Sequence, residues 1–206
     1  LKLLDTKIKK RMLSHKKSLN ILKKTKALLQ GHFVLSSGLH SPKYIQCAKL
    51  LSFPHVAKNI CLSLSKKIKK KYKNIDIILS PAMGGIIIGY EIGRLLKKET
   101  IFCERINGIF KLRRGFTIKK KAKVLIVEDV ITTGKSSLEC VKLIKKSKAK
   151  LAGFACIIDR SSKKSLKIKK KITSHMKIKI ESYKKNNLPL NLKNIPISKP
   201  GSRHLK

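Results

Sequence analysis

The densest chemistry in this chain lies in thirteen residues, Val124-Leu-Ile-Val-Glu128-Asp129-Val130-Ile131-Thr132-Thr133-Gly134-Lys135-Ser136. A hydrophobic run leads into two adjacent acids and then into a small turn rich in hydroxyls and glycine. Backbone N–H groups of such a turn, its hydroxyls and the N-terminus of a following helix together make a place for a phosphate. The helix end contributes about 0.3–2 kcal/mol per charge. The two carboxylates repel a nearby phosphate; they suit neutral hydroxyls, such as a ribose diol, or a bound metal. One loop therefore offers a phosphate end and a sugar end, the layout for a ribose 5-phosphate. Two other readings compete. Gly134-Lys135-Ser136 reads like the end of a Walker-type loop, but that motif needs Gly where Asp129 stands. The blander reading is an ordinary strand-to-helix turn with Asp129 or Thr132 as the helix N-cap.

Three further segments carry candidate chemistry. In Pro81-Ala82-Met83-Gly84-Gly85 the paired glycines let backbone N–H groups approach an anion closely. Asp159-Arg160 ends an apolar run, and a guanidinium fork suits a carboxylate or a carbonyl edge; the competing reading is a surface ion pair between the two. The stretch from Arg105 to Phe116 is bounded by glycines and holds Arg105, Lys111, Arg113 and Arg114. Those cations suit a pyrophosphate, and the alternative is a solvated basic hairpin.

The elements that must position these loops follow from periodicity. Leu19, Leu22, Ala27, Leu28 and Leu29 among lysines predict an amphipathic helix over 18–29, ended by Gly31. A short strand within 31–38 and a second strand over 43–51 follow. Pro54 opens a helix over 56–72. Then strands (75–79, 100–104, 124–127, 151–159) alternate with helices (86–97, 134–148), and a further strand is expected over 176–180. Residues 1–17 read as a frayed or helical lead-in, 105–123 as polar and irregular, and the proline-bearing tail from 183 as irregular. The alternation predicts an α/β fold with a mainly parallel central sheet flanked by helices. Every unusual loop follows the carboxyl end of a strand, where ligands bind in such sheets. We read 1–206 as a single domain, with a core over about 54–160 and a small N-terminal hood over about 18–50 joined by the C-terminal tail.

Composition narrows the class. A chain of 206 residues that is 42% hydrophobic supports a globular core. No uncharged run reaches the roughly 20 apolar residues of a spanning helix, and the N-terminal residues lack an apolar signal core, so no membrane association is expected. Five widely spaced cysteines without a Cys-x-x-Cys fit a reducing cytoplasm and free thiols rather than disulfides or zinc. The net charge of +41 comes from 44 Lys and only 7 Arg against 10 acids. Lysines spread along the whole chain, scarce arginines and 5% aromatics argue against specific nucleic-acid recognition. Salt-sensitive binding to polyanions follows from charge alone.

The 124–136 stretch resembles the phosphoribosyl pyrophosphate (PRPP) signature of type I phosphoribosyltransferases. Gly31-His-Phe-Val-Leu-Ser-Ser-Gly-Leu-His-Ser-Pro-Lys-Tyr44 is similar to the hood segment of the orotate phosphoribosyltransferase family, Pro81–Gly85 to its pyrophosphate loop, and Asp159-Arg160 to the pair beside its base. Ile195-Pro-Ile-Ser-Lys-Pro-Gly-Ser-Arg203 resembles the tail of one bacterial branch. The resemblance implies transfer of a 5-phosphoribosyl group from PRPP to orotate, with Mg²⁺ bound mainly through the substrate and no protein ligand set. It implies a homodimer whose basic loop closes over the partner's site, so that active sites are shared. Glu128 and Asp129 would hold the ribose hydroxyls and favour the cationic sugar. The 5′-phosphate would sit on the loop of Val130, Ile131, Thr132, Thr133, Gly134, Lys135 and Ser136. Ala82, Met83, Gly84 and Gly85 would face the pyrophosphate, with Arg105, Lys111, Arg113 and Arg114 closing on it and Arg105 catalytic. Thr132 and Arg160 would bind orotate. The chain departs from the common pattern at Ser36, Met83 and Gly84, where many members carry Lys, an aromatic and Lys. Leu188 and Asn191 stand where the branch often has a Cys-x-x-Cys. Two alternatives remain: a phosphoribosyltransferase for a purine or another pyrimidine, and a nucleic-acid-binding regulator on the same fold.

Overall fold

The computed structural model describes residues 13–35, 38–162, 166–169 and 171–198. Ser36, most of the lead-in and the tail beyond residue 198 lie outside the described residues. The elements are α1 (His15–Lys24), β1 (Leu28–Val34), β2 (His40–Ile45), α2 (Cys47–Leu51), α3 (Pro54–Lys71), β3 (Ile77–Pro81), α4 (Gly84–Leu96), β4 (Glu99–Ile106), β5 (Ile109–Leu112), β6 (Lys123–Ile131), α5 (Lys135–Lys146), β7 (Lys150–Asp159), β8 (Thr173–Lys177), α6 (Leu190–Lys193) and β9 (Ile197–Ser198).

The central sheet has the order β5-β4-β3-β6-β7-β8 and is parallel except for β5, which pairs antiparallel with β4. This is the α/β architecture that the alternation predicts. The period of two along each strand builds two cores. Ile78, Leu125, Val127, Ala155 and Ile157 face a cluster with Ile60, Leu64, Ile88 and Ile92 of α3 and α4. Leu79, Val124, Ile126, Phe154 and Cys156 face the opposite cluster, closed by Cys140 and Ile144 of α5 with Ile118 and Ile168.

Local expectations fail where tertiary pairing outweighs helical periodicity. The helix expected over 18–29 ends at Lys24, with Lys26 left-handed at φ 53°, and Leu28 and Leu29 enter β1 opposite Ile45 and Tyr44. Gly31 is a strand residue, not a helix end. The strand expected over 43–51 is β2 followed by the short helix α2, and the one expected over 176–180 is shifted to Thr173–Lys177. The irregular 105–123 stretch contains a β-hairpin turning at Asn107-Gly108, with φ of 50° and 79°. An Asn-Gly pair fits such a turn because both positions need positive φ.

A three-stranded sheet, β2-β1-β9, joins the chain's two ends. His32 Nδ1 lies 3.0 Å from the Ile195 carbonyl, and His32 Nε2 lies 2.6 Å from His40 Nδ1. A carbonyl only accepts, so His32 carries its proton on Nδ1 and accepts from His40 through Nε2. Burial, His32 and Lys185 hold the His40 imidazole below its ordinary pKa. Among the described residues no helix is long and apolar enough to cross a membrane.

Helix α4 lies unusually close to the sheet. A Cβ on Gly93 would overlap Thr100 Oγ1 and approach the Lys98 carbonyl to 3.0 Å. Gly93→Val should therefore destabilise the protein by about 1–3 kcal/mol, read as a lower urea midpoint; an unchanged midpoint would show that the helix can move away freely.

Candidate active site

The carboxyl ends of β3, β4, β6 and β7 bring forward all the loops singled out by their chemistry. Between β3 and α4, Ala82 donates its N–H to the Cys103 carbonyl at 2.8 Å. The Ala82–Met83 peptide is cis, and Met83 is 81% exposed. Gly84 begins α4. A Cβ there would lie 2.8–2.9 Å from both oxygens of Asp129. The missing side chain thus lets the Asp129 carboxyl settle on the first turn of α4, where the helix dipole favours an anion. Asp129 Oδ1 also accepts the Val130 N–H at 2.9 Å. Burial still raises its pKa above the usual range.

Glu128 points the other way. It shares the sheet face of Val124 and Ile126, beneath α5, and is only 8% exposed. Its Oε1 accepts the hydroxyl of the fully buried Ser137. Burial pushes its pKa up to about 7, and Asp129 and Glu139 push the same way, against the hydrogen bonds from Ser137. Strand alternation therefore splits the acidic pair. Asp129, half-buried, faces the 82–85 loop, whereas Glu128 faces α5.

The loop between them and α5 is braced. Gly134 is the helix N-cap at φ 74°, and a side chain there would strike Ile168. Lys167 N–H donates to the Thr133 carbonyl at 3.0 Å, and Lys135 N–H to Thr133 Oγ1 at 3.3 Å. Thr132, Thr133 and Lys135 are exposed and Ser136 half-buried, so hydroxyls and the helix start face solvent. Val130 is half-buried and Ile131 buried in the wall.

Arg160 follows β7, its N–H bonded to the Ile131 carbonyl at 2.8 Å. The Asp159–Arg160 ion pair does not form. Asp159 Oδ1 accepts from Ser161 N–H and Oγ at 2.8 and 2.6 Å, and Oδ2 lies 3.7 Å from Lys177 Nζ. Arg160 Nε is buried without a hydrogen-bond partner among the described residues. Burial lowers the guanidinium pKa, partly offset by nearby Tyr44 of β2.

The basic hairpin is occupied with carboxylates of its own. Arg105 Nη2 lies 2.6 Å from Glu139 of α5, off hydrogen-bond alignment, while Nη1 donates to the Gly108 carbonyl at 2.5 Å. The guanidinium also covers the Phe110 ring at 4.0 Å. Arg113 and Arg114 approach Glu104 at 3.7 and 2.6 Å, and Lys111 is exposed on β5. The structure thus joins the 128–136 loop, the 82–85 loop and Arg160, and holds the hairpin cations beside Glu104 and Glu139. Sequence reasoning missed Ser137, Glu139 and Tyr44. For Ser137 the signal was the two-residue period, which puts Glu128 on the side of the following helix.

Helix N-termini and glycine-cleared backbone converge at the carboxyl ends of the strands, and the phosphoribosyl transferase domain model matches residues 49–187. The chain belongs to the phosphoribosyl transferase family. Within it, the chain is 45% identical over 194 residues to an orotate phosphoribosyltransferase of Parvibaculum lavamentivorans, covering 94% of this chain and all of that one. It is likewise 45% identical over 188 residues to one of Caldicellulosiruptor saccharolyticus, covering 91% of this chain and 97% of that protein. The fold matches the crystal structure of orotate phosphoribosyltransferase from Aeropyrum pernix with a TM-score of 0.65 at 22% identity, over 77% of this chain and 92% of that one. It also matches an adenine phosphoribosyltransferase from Thermoanaerobacter pseudethanolicus with a TM-score of 0.56 at 16% identity, over 66% and 88% of the two chains.

A carboxyl with a raised folded pKa contributes stability that is present below its unfolded value and lost as pH rises through the folded value. For Glu128 that window runs from about 4.5 to about 7. Glu128→Gln lacks the titration, so its melting temperature should gain on wild type across this window and hold the gain above it. A constant difference in scanning calorimetry would show that Glu128 ionises as freely as in the unfolded chain.

Proposed function

We propose that this protein transfers the 5-phosphoribosyl group of PRPP to orotate, giving orotidine 5′-monophosphate and pyrophosphate. The observation that carries the base assignment is Arg160. It is half-buried, its neighbour Asp159 is engaged elsewhere, and its Nε has no partner among the described residues. A buried guanidinium without a carboxylate calls for an anionic substrate edge, which orotate has and a neutral purine lacks. In the reaction the orotate ring nitrogen, having given up its proton, bonds to ribose C1, while the C1–O bond breaks and its electron pair leaves on pyrophosphate. Thr132 to Ser136 hold the 5′-phosphate, and that remote contact positions C1. Asp129 faces the ribose and favours the positive charge that grows there.

No cluster of three or more His, Cys, Asp or Glu suited to a metal occurs among the described residues. In this reading Mg²⁺ would be held by the oxygens of PRPP and would supply charge neutralisation at the leaving group. The five free, buried cysteines suit a reducing cytoplasm. A homodimer is supported by α4. Met83, Ile87 and Tyr90 follow one another at helical spacing with exposures of 81, 54 and 66%, beside the pyrophosphate loop. In a shared site the hairpin cations would exchange Glu104 and Glu139 for the partner's pyrophosphate.

Arg160→Ala should raise the KM for orotate at least tenfold while changing PRPP affinity little, followed by the ultraviolet absorbance of orotate with uracil, hypoxanthine and adenine in parallel. Equal loss of both substrates, or turnover of a neutral base, would defeat the assignment. The double variant Ile87→Glu/Tyr90→Glu should sediment as a monomer with little activity; a fully active monomer would rule out shared sites.

A further inference from the structure

Among the described residues, Glu128 is buried with no cation in contact. Asp129 lies next to it on β6, Glu139 and Cys140 face it from α5, and Cys156 faces it from β7. Glu139 is itself countered by Arg105. The group that hydrogen-bonds the carboxyl is the Ser137 hydroxyl, and the Ser137 backbone N–H also favours its charged form. Ser137 is the third residue of α5, so its N–H is one of the donors that a helix start leaves without a partner. Gly134 at the N-cap has no side chain to supply an acceptor. Strand β6 instead brings the Glu128 carboxyl to this helix start, where it accepts from the Ser137 hydroxyl.

This contact has a particular place in the chain. Glu128 stands just before the 5′-phosphate loop and Ser137 just after it, so their bond closes the loop at its base. We infer that Ser137 is a positioning residue which, through Glu128, holds the 132–136 loop in its phosphate-binding shape, and that ionisation of Glu128 tightens that hold. The inference rests on the proposed reading of this loop as the 5′-phosphate site. A charge-assisted hydrogen bond is shorter and stronger than a neutral one, so PRPP affinity should rise as Glu128 loses its proton. Removing the Ser137 hydroxyl withdraws one of the supports of the charged form. The carboxyl then stays protonated to higher pH, and the acid limb of PRPP binding moves in the alkaline direction.

The test is calorimetric titration of PRPP with Mg²⁺ into the whole protein between pH 5.5 and 9. Wild type, Ser137→Ala, Ser137→Thr and Glu128→Gln are compared. The ligand's own phosphate ionisation is common to all four and cancels in the ratios. In Ser137→Ala the midpoint of the acid limb should move up by about one pH unit, the size expected for one hydrogen bond to a charged group. Affinity at pH 9 should fall about tenfold, because the charged carboxylate then has no hydroxyl through which to hold the loop. Ser137→Thr, which restores the hydroxyl, should bring the limb back, and Glu128→Gln should abolish it. An unmoved limb in folded Ser137→Ala, or an equal loss at every pH, overturns the inference, because a merely structural role would weaken binding without shifting the titration. If wild type binds PRPP but consumes no orotate, the substrate reading fails and this inference stands or falls on the limb alone. If wild type does not bind PRPP at all, both fall.

Discussion

Successive side chains of a β-strand leave on opposite faces, and the carboxyl end of β6 uses that geometry to serve two helices at once. Glu128 meets the first turn of α5 and Asp129 the first turn of α4. Each helix start carries unpaired N–H groups and a partial positive charge, so each is a natural seat for an anion. Adjacent acids in one strand would repel strongly if they shared a pocket. Here the sheet stands between them. Both glycine-bearing loops, 82–85 and 132–136, are therefore tied to a single dipeptide.

The two seats are not equivalent. Asp129 is half-buried and reaches the ligand side because Gly84 has no side chain. Glu128 lies in the α5 core, where desolvation opposes its charge. Burial of a carboxyl without a cation is tolerable only with good donors, and Ser137 supplies them. The same element that closes the phosphate loop is thus the one whose charge the surroundings resist.

Charge balance elsewhere follows from scarcity. With ten acids against 51 basic residues, the carboxylates in ion pairs go mostly to guanidinium groups: Glu91 to Arg94, Glu104 to Arg113 and Arg114, Glu139 to Arg105. A planar fork holds a carboxylate in a fixed direction, which an ammonium does not. Among the described residues Asp159 is the exception, taken by Ser161 and the fringe of Lys177, and Arg160 Nε is left without a partner. Most lysines add self-repulsion, but Lys67 and Lys71 of α3 donate to carbonyls of Ser174, His175 and Lys171 and so tie that helix to the β8 side of the sheet.

Much of this was legible along the chain. The run of short apolar strands and lysine-faced helices from Ile75 onward determined a parallel sheet, and the glycines at 84, 85 and 134 marked backbone that must come close to a ligand or turn sharply. The hairpin turning at Asn107-Gly108 lies in a stretch read along the chain as irregular, although two positive φ values suit those residues. The sequence did not determine the helix-to-strand boundary near residue 25, where leucines at helical spacing enter β1 and pair with Ile45 and Tyr44 of β2. Nor could it say that Arg160 is left without Asp159, that Arg105 rests on Glu139, or that Ser137 holds Glu128. Those are contacts between elements distant in sequence or on opposite sides of a loop. Period and propensity describe one element at a time; which side chains meet is decided only when the sheet sets the distances between them.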